Sequence, residues 1–157
     1  MKNEKGTESG IEGFERHDRD RAGAEQAEGL GLRRVSAVEK AQEVETSEHR
    51  LEDIRNWIVE GRGNFASIIK DIRASSDEKK QAELKLKLPG VLFSGTFAKR
   101  SAKELIQHSG LICMDFDYVD QPDQVIDGMR FDPHLALAFV SPRGNGVKAV
   151  FCIPQDC

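Results

Sequence analysis

The sequence predicts an α+β fold in which helices pack on one face of a largely antiparallel sheet, behind a charged, disordered N-terminal tail. Three observations carry this. Between residues 51 and 87 apolar residues recur at helical spacing, and beyond Leu88-Pro89-Gly90 they gather into short runs bounded by turn residues. A glycine-rich stretch, Ser141-Pro142-Arg143-Gly144-Asn145-Gly146, separates the last two runs as a hairpin loop would. The first fifty residues hold only seven Ile, Leu, Val or Phe residues against 12 acidic and 9 basic ones, too few to offset the entropy of ordering the segment.

Residues 1–46 are therefore expected to be tail and linker, with 35–46 open between a short first strand and linker, and residues 47–157 to form the folded domain. Leu51, Ile54, Trp57 and Ile58 mark a helix that Gly61 ends. Asn64 is placed to cap a second helix with the stripe Phe65, Ile68, Ile69, Ile72. Ser75-x-x-Glu78 reads as a capping box opening a polar third helix to about Lys87. Val91 to Phe97 reads as one strand interrupted at Gly95. Ser101-x-x-Glu104 reads as a second capping box, its helix running to Gly110 with His108 near the C-terminal end of the dipole. Leu111 to Val119 is the strongest strand, residues 121–130 suit a short helix after Pro122, and 134–140 and 147–153 are two further strands. Trp57 is most simply a core residue.

Composition excludes several classes. The chain of 157 residues carries a net charge of −4, most of it in the first fifty residues, so a uniformly basic coat for duplex DNA is excluded. No run of 18 apolar residues could cross a membrane, and Met1 to Gly10 lacks the apolar stretch of a secretory signal. Cys113, Cys152 and Cys157 form neither a paired framework nor a metal-binding spacing, which suits reduced thiols in the cytoplasm.

The chemistry concentrates in two places. In the strand Leu111-Ile112-Cys113-Met114-Asp115-Phe116-Asp117, alternate residues share a face, so Asp115 and Asp117 point one way with Leu111 and Cys113, and Ile112, Met114 and Phe116 point the other way, toward the expected core. Two carboxylates about 7 Å apart on one strand face repel unless a cation lies between them. Mg²⁺ and Mn²⁺ suit such oxygen ligands and complete their shells with substrate phosphates. The second place is the run Ser141 to Lys148. Gly144 and Gly146 let the backbone approach an anion, Ser141 adds a hydroxyl, and Arg143 and Lys148 add positive charge. It is not a P-loop, because a strand rather than a helix follows it. A weaker signal is the basic series Lys79, Lys80, Lys85, Lys87, Lys99, Arg100 and Lys103. Of these, Lys85, Lys87, Lys99, Arg100 and Lys103 are candidates to track a single-stranded nucleic-acid backbone.

Taken in order, Leu88 to Phe97, His108 to Asp117 and the Ser-Pro-x-Gly-x-Gly-x-Lys run at 141–148 resemble the N-terminal primase-like domain that precedes virulence-associated protein E-type helicase regions, which is similar to the archaeo-eukaryotic primase, or primase-polymerase, superfamily. The resemblance covers about residues 48–154. It implies a partial primase-polymerase-like (RRM-like) core and metal-dependent nucleotidyl transfer in the DNA replication of a mobile or phage-like element. The implied partners are NTP or dNTP, a single-stranded DNA template and a helicase domain encoded downstream, without a membrane. By the resemblance, Asp115 and Asp117 are the metal-binding catalytic pair for Mg²⁺ or Mn²⁺, and Ser141, Gly144, Gly146 and Lys148 handle the nucleotide phosphates, with Arg143 where the family often has a second serine. A third acid on a later strand has no place in this sequence, so the domain is expected to be incomplete at its C-terminus. The alternative is an inactive nucleotide- or single-stranded-DNA-binding module. An Asp-x-Asp glycosyltransferase would need a nucleotide-binding domain upstream that the polar first fifty residues do not supply, and a pure scaffold would leave the aspartate pair unexplained.

Overall fold

The computed structural model describes residues 29–153. Residues 1–28 of the expected tail, and Cys157, lie outside them. Chain order is β1 (Arg34–Val38), β2 (Ser47–Arg50), α1 (Leu51–Glu60), α2 (Phe65–Ala74), α3 (Glu78–Lys85), β3 (Gly90–Leu92), β4 (Gly95–Phe97), a 3₁₀ turn (Ala102–Glu104), β5 (Leu105–His108), β6 (Leu111–Asp117), α4 (Pro122–Met129), β7 (Leu135–Val140) and β8 (Gly146–Cys152). The fold is α+β, and all of these strand pairings are antiparallel. The strands form three small sheets, ordered β2-β1-β3, β4-β5 and β6-β8-β7.

β1 corrects the tail boundary. Val35, Ser36, Ala37 and Val38 are all buried, and β1 is the central strand of its sheet. The boundary at residues 46 and 47 thus falls between two paired strands. Average composition hid β1 because one five-residue strand needs only a few apolar residues when it lies between two others. Its Ser36 is buried with its hydroxyl satisfied: Phe97 N–H donates to Oγ at 2.9 Å, which docks β4 against β1.

The helices begin near their expected positions, with different caps. α1 ends at Gly61 in the left-handed conformation (φ 66°). Asn64 occupies the N-cap position of α2 without a side-chain bond. α3 is capped by Asp77, whose carboxylate accepts from the N–H groups of Lys79 and Lys80; Ser75 instead accepts from Asp77 N–H. Asp77 fits the cap as well as Ser75 does, and the capping-box pattern shifts the start by two residues. Ile68 and Ile72 pack with Leu88 into a small core of their own, with Phe65, Ile69 and Leu84 at its margin.

Two expected elements change type. Val91 to Phe97 is two strands rather than one: β3 pairs with β1 and β4 with β5, and Phe93-Ser94 turns the chain between the sheets. The helix expected at 101–110 is a single 3₁₀ turn followed by β5. Ser101 does cap the turn, accepting from Lys103 N–H, but Leu105 to His108 pairs with β4, and those cross-strand bonds replace the helical ones. His108 is therefore no helix cap; its Nδ1 accepts from Gly110 N–H at 2.9 Å and shapes the turn into β6.

The main core joins Val35 and Ala37 of β1, Leu51 and Ile54 of α1, Phe93, Leu111 of β6 and Val150 of β8. Trp57 is partly buried at its rim, with the His49 ring edge-on at 4.5 Å and the Arg62 guanidinium over its face at 4.3 Å. Burial in this stack lowers the His49 pKa, which the nearby Asp53 carboxylate opposes. Long-range polar contacts fix where β6 begins. Arg33 donates to the carbonyls of Ser109 and Gly110, each at 2.8 Å, and Ser109 Oγ donates to Phe93 O at 2.5 Å.

Candidate functional site

β6, β8 and β7 bring the two chemical motifs into one sheet. The antiparallel register sets Asp115 directly opposite Lys148 and Asp117 opposite Gly146. Paired residues share a face, so Leu111, Cys113, Asp115 and Asp117 of β6 lie beside Cys152, Val150, Lys148 and Gly146 of β8. One end of this face, with Leu111 and Val150, belongs to the main core. The other end, with both aspartates, opens to solvent. The shared face expected for the pair is present.

The opposite face corrects an expectation. Ile112 and Met114 are 47% and 46% exposed rather than core. β6 is an outer strand, and α4 packs on β7 and β8. Val147 and Ala149, on that same side of β8, are fully buried. The helix thus covers β8 and β7 and leaves β6 uncovered.

Lys148 Nζ forms an ion pair with Asp115 Oδ2. The lysine expected to meet phosphate and a carboxylate expected to meet metal are therefore held by one another. The pair is partly exposed, so its exchange for other partners costs little. Cys113, on the same face, is exposed; partial burial raises its thiol pKa, Lys148 opposes this and Asp115 adds to it.

The loop 141–146 is a tight turn whose own carbonyls engage two of its backbone N–H groups. Ser141 N–H donates to Gly146 O at 2.8 Å and Gly144 N–H to Ser141 O at 2.9 Å. Gly146 admits no side chain, since a Cβ there would come within 2.7 Å of Phe116 O; the glycine lets β6 and β8 pair up to Asp117. Ser141 is buried and Arg143 exposed. The turn also binds the far end of β6: Val119 N–H donates to Asn145 O at 2.9 Å.

Two residues were missed by sequence reasoning. Arg73, in the last turn of α2, donates from Nε to Pro142 O and from its guanidinium to Ser141 O, both at 3.3 Å. No short-range pattern signals a contact across 68 residues. Tyr118, directly after the pair, has φ 57° and is 86% exposed, a rare backbone state for a bulky residue that turns the chain sharply at the end of β6. A positive φ leaves no mark in the sequence when the residue is not glycine.

Lys85 and Lys87 lie at the end of α3 and just beyond it, Lys99 and Arg100 between β4 and β5, and Lys103 in the 3₁₀ turn; all five are exposed. They belong to separate elements rather than to one basic strip along a helix.

A divalent cation can be judged against this donor set. Asp115 and Asp117 offer hard oxygen ligands on one exposed face, which fits Mg²⁺ or Mn²⁺ with the remaining shell left to phosphates and water. Among the described residues no group of three or more His, Cys, Asp or Glu is placed to hold a metal ion. Nor is any described helix long and apolar enough to cross a membrane.

Among known protein families, one described as "BT4734-like, N-terminal domain" matches residues 83–156, just under half of the chain. The matched span runs from α3 through β8 and contains the aspartate pair, the glycine loop and Lys148; it leaves out β1, β2, α1 and the Arg73 helix. Comparisons with curated proteins and with solved structures returned no match.

Proposed function

We propose that this chain carries a primase-polymerase-like module for metal-dependent nucleotidyl transfer, serving the DNA replication of a mobile element. The observation that carries the reading is the register of β6 on β8, which brings Asp115, Asp117, Lys148 and the glycine loop to one end of one sheet face. In the reaction a 3′-hydroxyl oxygen bonds to the α-phosphorus of an NTP or dNTP and gives up its proton to solvent water, the bond from the α-phosphorus to the α–β bridging oxygen breaks, and pyrophosphate leaves with that bond's electron pair.

Asp115 and Asp117 would hold Mg²⁺ or Mn²⁺, which when bound supplies Lewis-acid stabilisation of the phosphate charge and lowers the pKa of the attacking hydroxyl. Lys148 is placed to trade its ion pair with Asp115 for a phosphate oxygen, so substrate binding and release of the carboxylate are one exchange. The exposed basic residues Lys85, Lys87, Lys99, Arg100 and Lys103 supply charge for a single-stranded template. A helicase domain encoded downstream would unwind duplex to expose the template.

The test is primer synthesis on single-stranded DNA with Mn²⁺ and NTPs or dNTPs. The wild type is expected to make product, and Asp115→Ala and Asp117→Ala to lose it. Equal product from all three proteins removes the carboxylates from the chemistry. A second reading, a nucleotide- or single-stranded-DNA-binding module without catalysis, draws on the Lys148–Asp115 pair, which already neutralises one carboxylate. It predicts nucleotide binding with no product in the same assay.

A further inference from the structure

We propose that Arg73 is an anion-binding residue of the glycine-loop site, a side chain that holds the 141–144 turn and offers its remaining N–H groups to a polyphosphate. The proposal deepens the nucleotide reading above and rests on it for the class of ligand.

The position is built from the core outward. Ile72 is fully buried against Ile68 and Leu88, which fixes the last turn of α2. Arg73, one residue on, is turned away from that apolar stripe toward the loop. Its guanidinium donates to two successive carbonyls, those of Ser141 and Pro142. Gly144, whose φ of 85° suits glycine, lies against this side chain, a Cβ there falling 3.4 Å from Arg73 Nε, an ordinary contact distance. A flat guanidinium lying along a turn suits Arg and not Lys, whose ammonium lacks the planar fork.

Two of the five guanidinium N–H groups are engaged in this way, and the others have no protein partner among the described residues. Arg73 is exposed, so an anion can reach them. The loop needs such donors. Its Ser141 and Gly144 amides are taken by the turn, and Lys148 is held by Asp115. Side-chain cations therefore carry most of the recognition, and Arg73 adds to the exposed Arg143 of the turn a charge contributed from another element. Two arginines at one turn favour a polyphosphate over a single carboxylate.

The experiment measures binding of inorganic tripolyphosphate to the full chain by calorimetry, alongside KM for NTP in the primer-synthesis assay. Arg73→Ala is expected to weaken tripolyphosphate binding by about tenfold or more, the loss typical of a charge-assisted hydrogen bond. Arg73→Lys is expected to recover only part of it, and binding of an unphosphorylated nucleoside to stay unchanged. Wild-type tripolyphosphate affinity in a folded Arg73→Ala protein overturns the proposal; if that variant does not fold, wild-type affinity in Arg73→Lys overturns it. Product formation by Arg73→Ala with an unchanged KM for NTP also overturns it while the transferase reading stands. Tripolyphosphate binding that depends on Arg73, in a protein that makes no product, upholds the proposal and removes the transferase reading.

Discussion

β6 and β8 are neighbours of equal length in one sheet, and they divide the work between them. By sequence β6 opens on an unbroken apolar run, Leu-Ile-Cys-Met, before its two aspartates, whereas β8 begins with glycine and carries a lysine at its third position. In the structure that apolar opening of β6, Leu111 apart, is not the buried part. Val147, Ala149 and Val150 of β8 are fully buried, while Leu111 is the buried side chain of β6. The central strand holds the sheet together. The outer strand, with one edge unpaired among the described residues and one face uncovered, is where the carboxylates stay reachable from solvent. Hydrophobic sequence therefore did not locate the core here; position in the sheet did.

The largest effect should come from breaking the central strand. Val150→Asp places an unpaired charge in the main core and is expected to cost about 4 kcal/mol or more, enough to unfold a marginal domain, as read by loss of the cooperative melting transition. Next is Gly146→Ala, whose methyl meets Phe116 O at a distance no relaxed Cβ adopts. It is expected to cost about 1–3 kcal/mol and to raise hydrogen exchange at the Asp117 end of β6 more than at the Leu111 end. If both ends respond alike, the glycine is not what lets the strands close at the site.

Met114→Ala, on the outer strand, should cost under about 1 kcal/mol because the side chain is already half-exposed. A loss as large as that of Val147→Ala in urea melts would break the contrast between the strands. The smallest effect is electrostatic. Asp115 raises the Cys113 pKa and Lys148 lowers it. Asp115→Asn should therefore shift the pH profile of iodoacetamide alkylation to lower pH, and Lys148→Met should shift it to higher pH. Opposite signs would mean that the three side chains do not share a face in solution.

Legibility in the sequence followed how local each feature is. The stripe of α2, the stop at Gly61 and the turn at 141–146 rest on residues a few positions apart, and each is where the pattern placed it. The aspartate pair was legible for the same reason, since alternation alone puts both carboxylates on one face. Leu105 to His108 was misread because four residues after a genuine capping serine suit a helix until a partner strand is present, and that partner, β4, begins ten residues earlier. The burial of β1 depends on two strands that flank it from elsewhere in the chain.

By itself, then, the sequence determined the fold class, the short-range turns and the acidic and glycine motifs, because side-chain periodicity and backbone restriction act over a few residues. Only the tertiary structure decided that Asp115 faces Lys148, that Arg73 reaches the loop and that Ile112 and Met114 stay uncovered. Those outcomes depend on which strands pair and which lies outermost. That choice is made by the burial and hydrogen bonding of distant segments against one another, and no short stretch of sequence contains both partners.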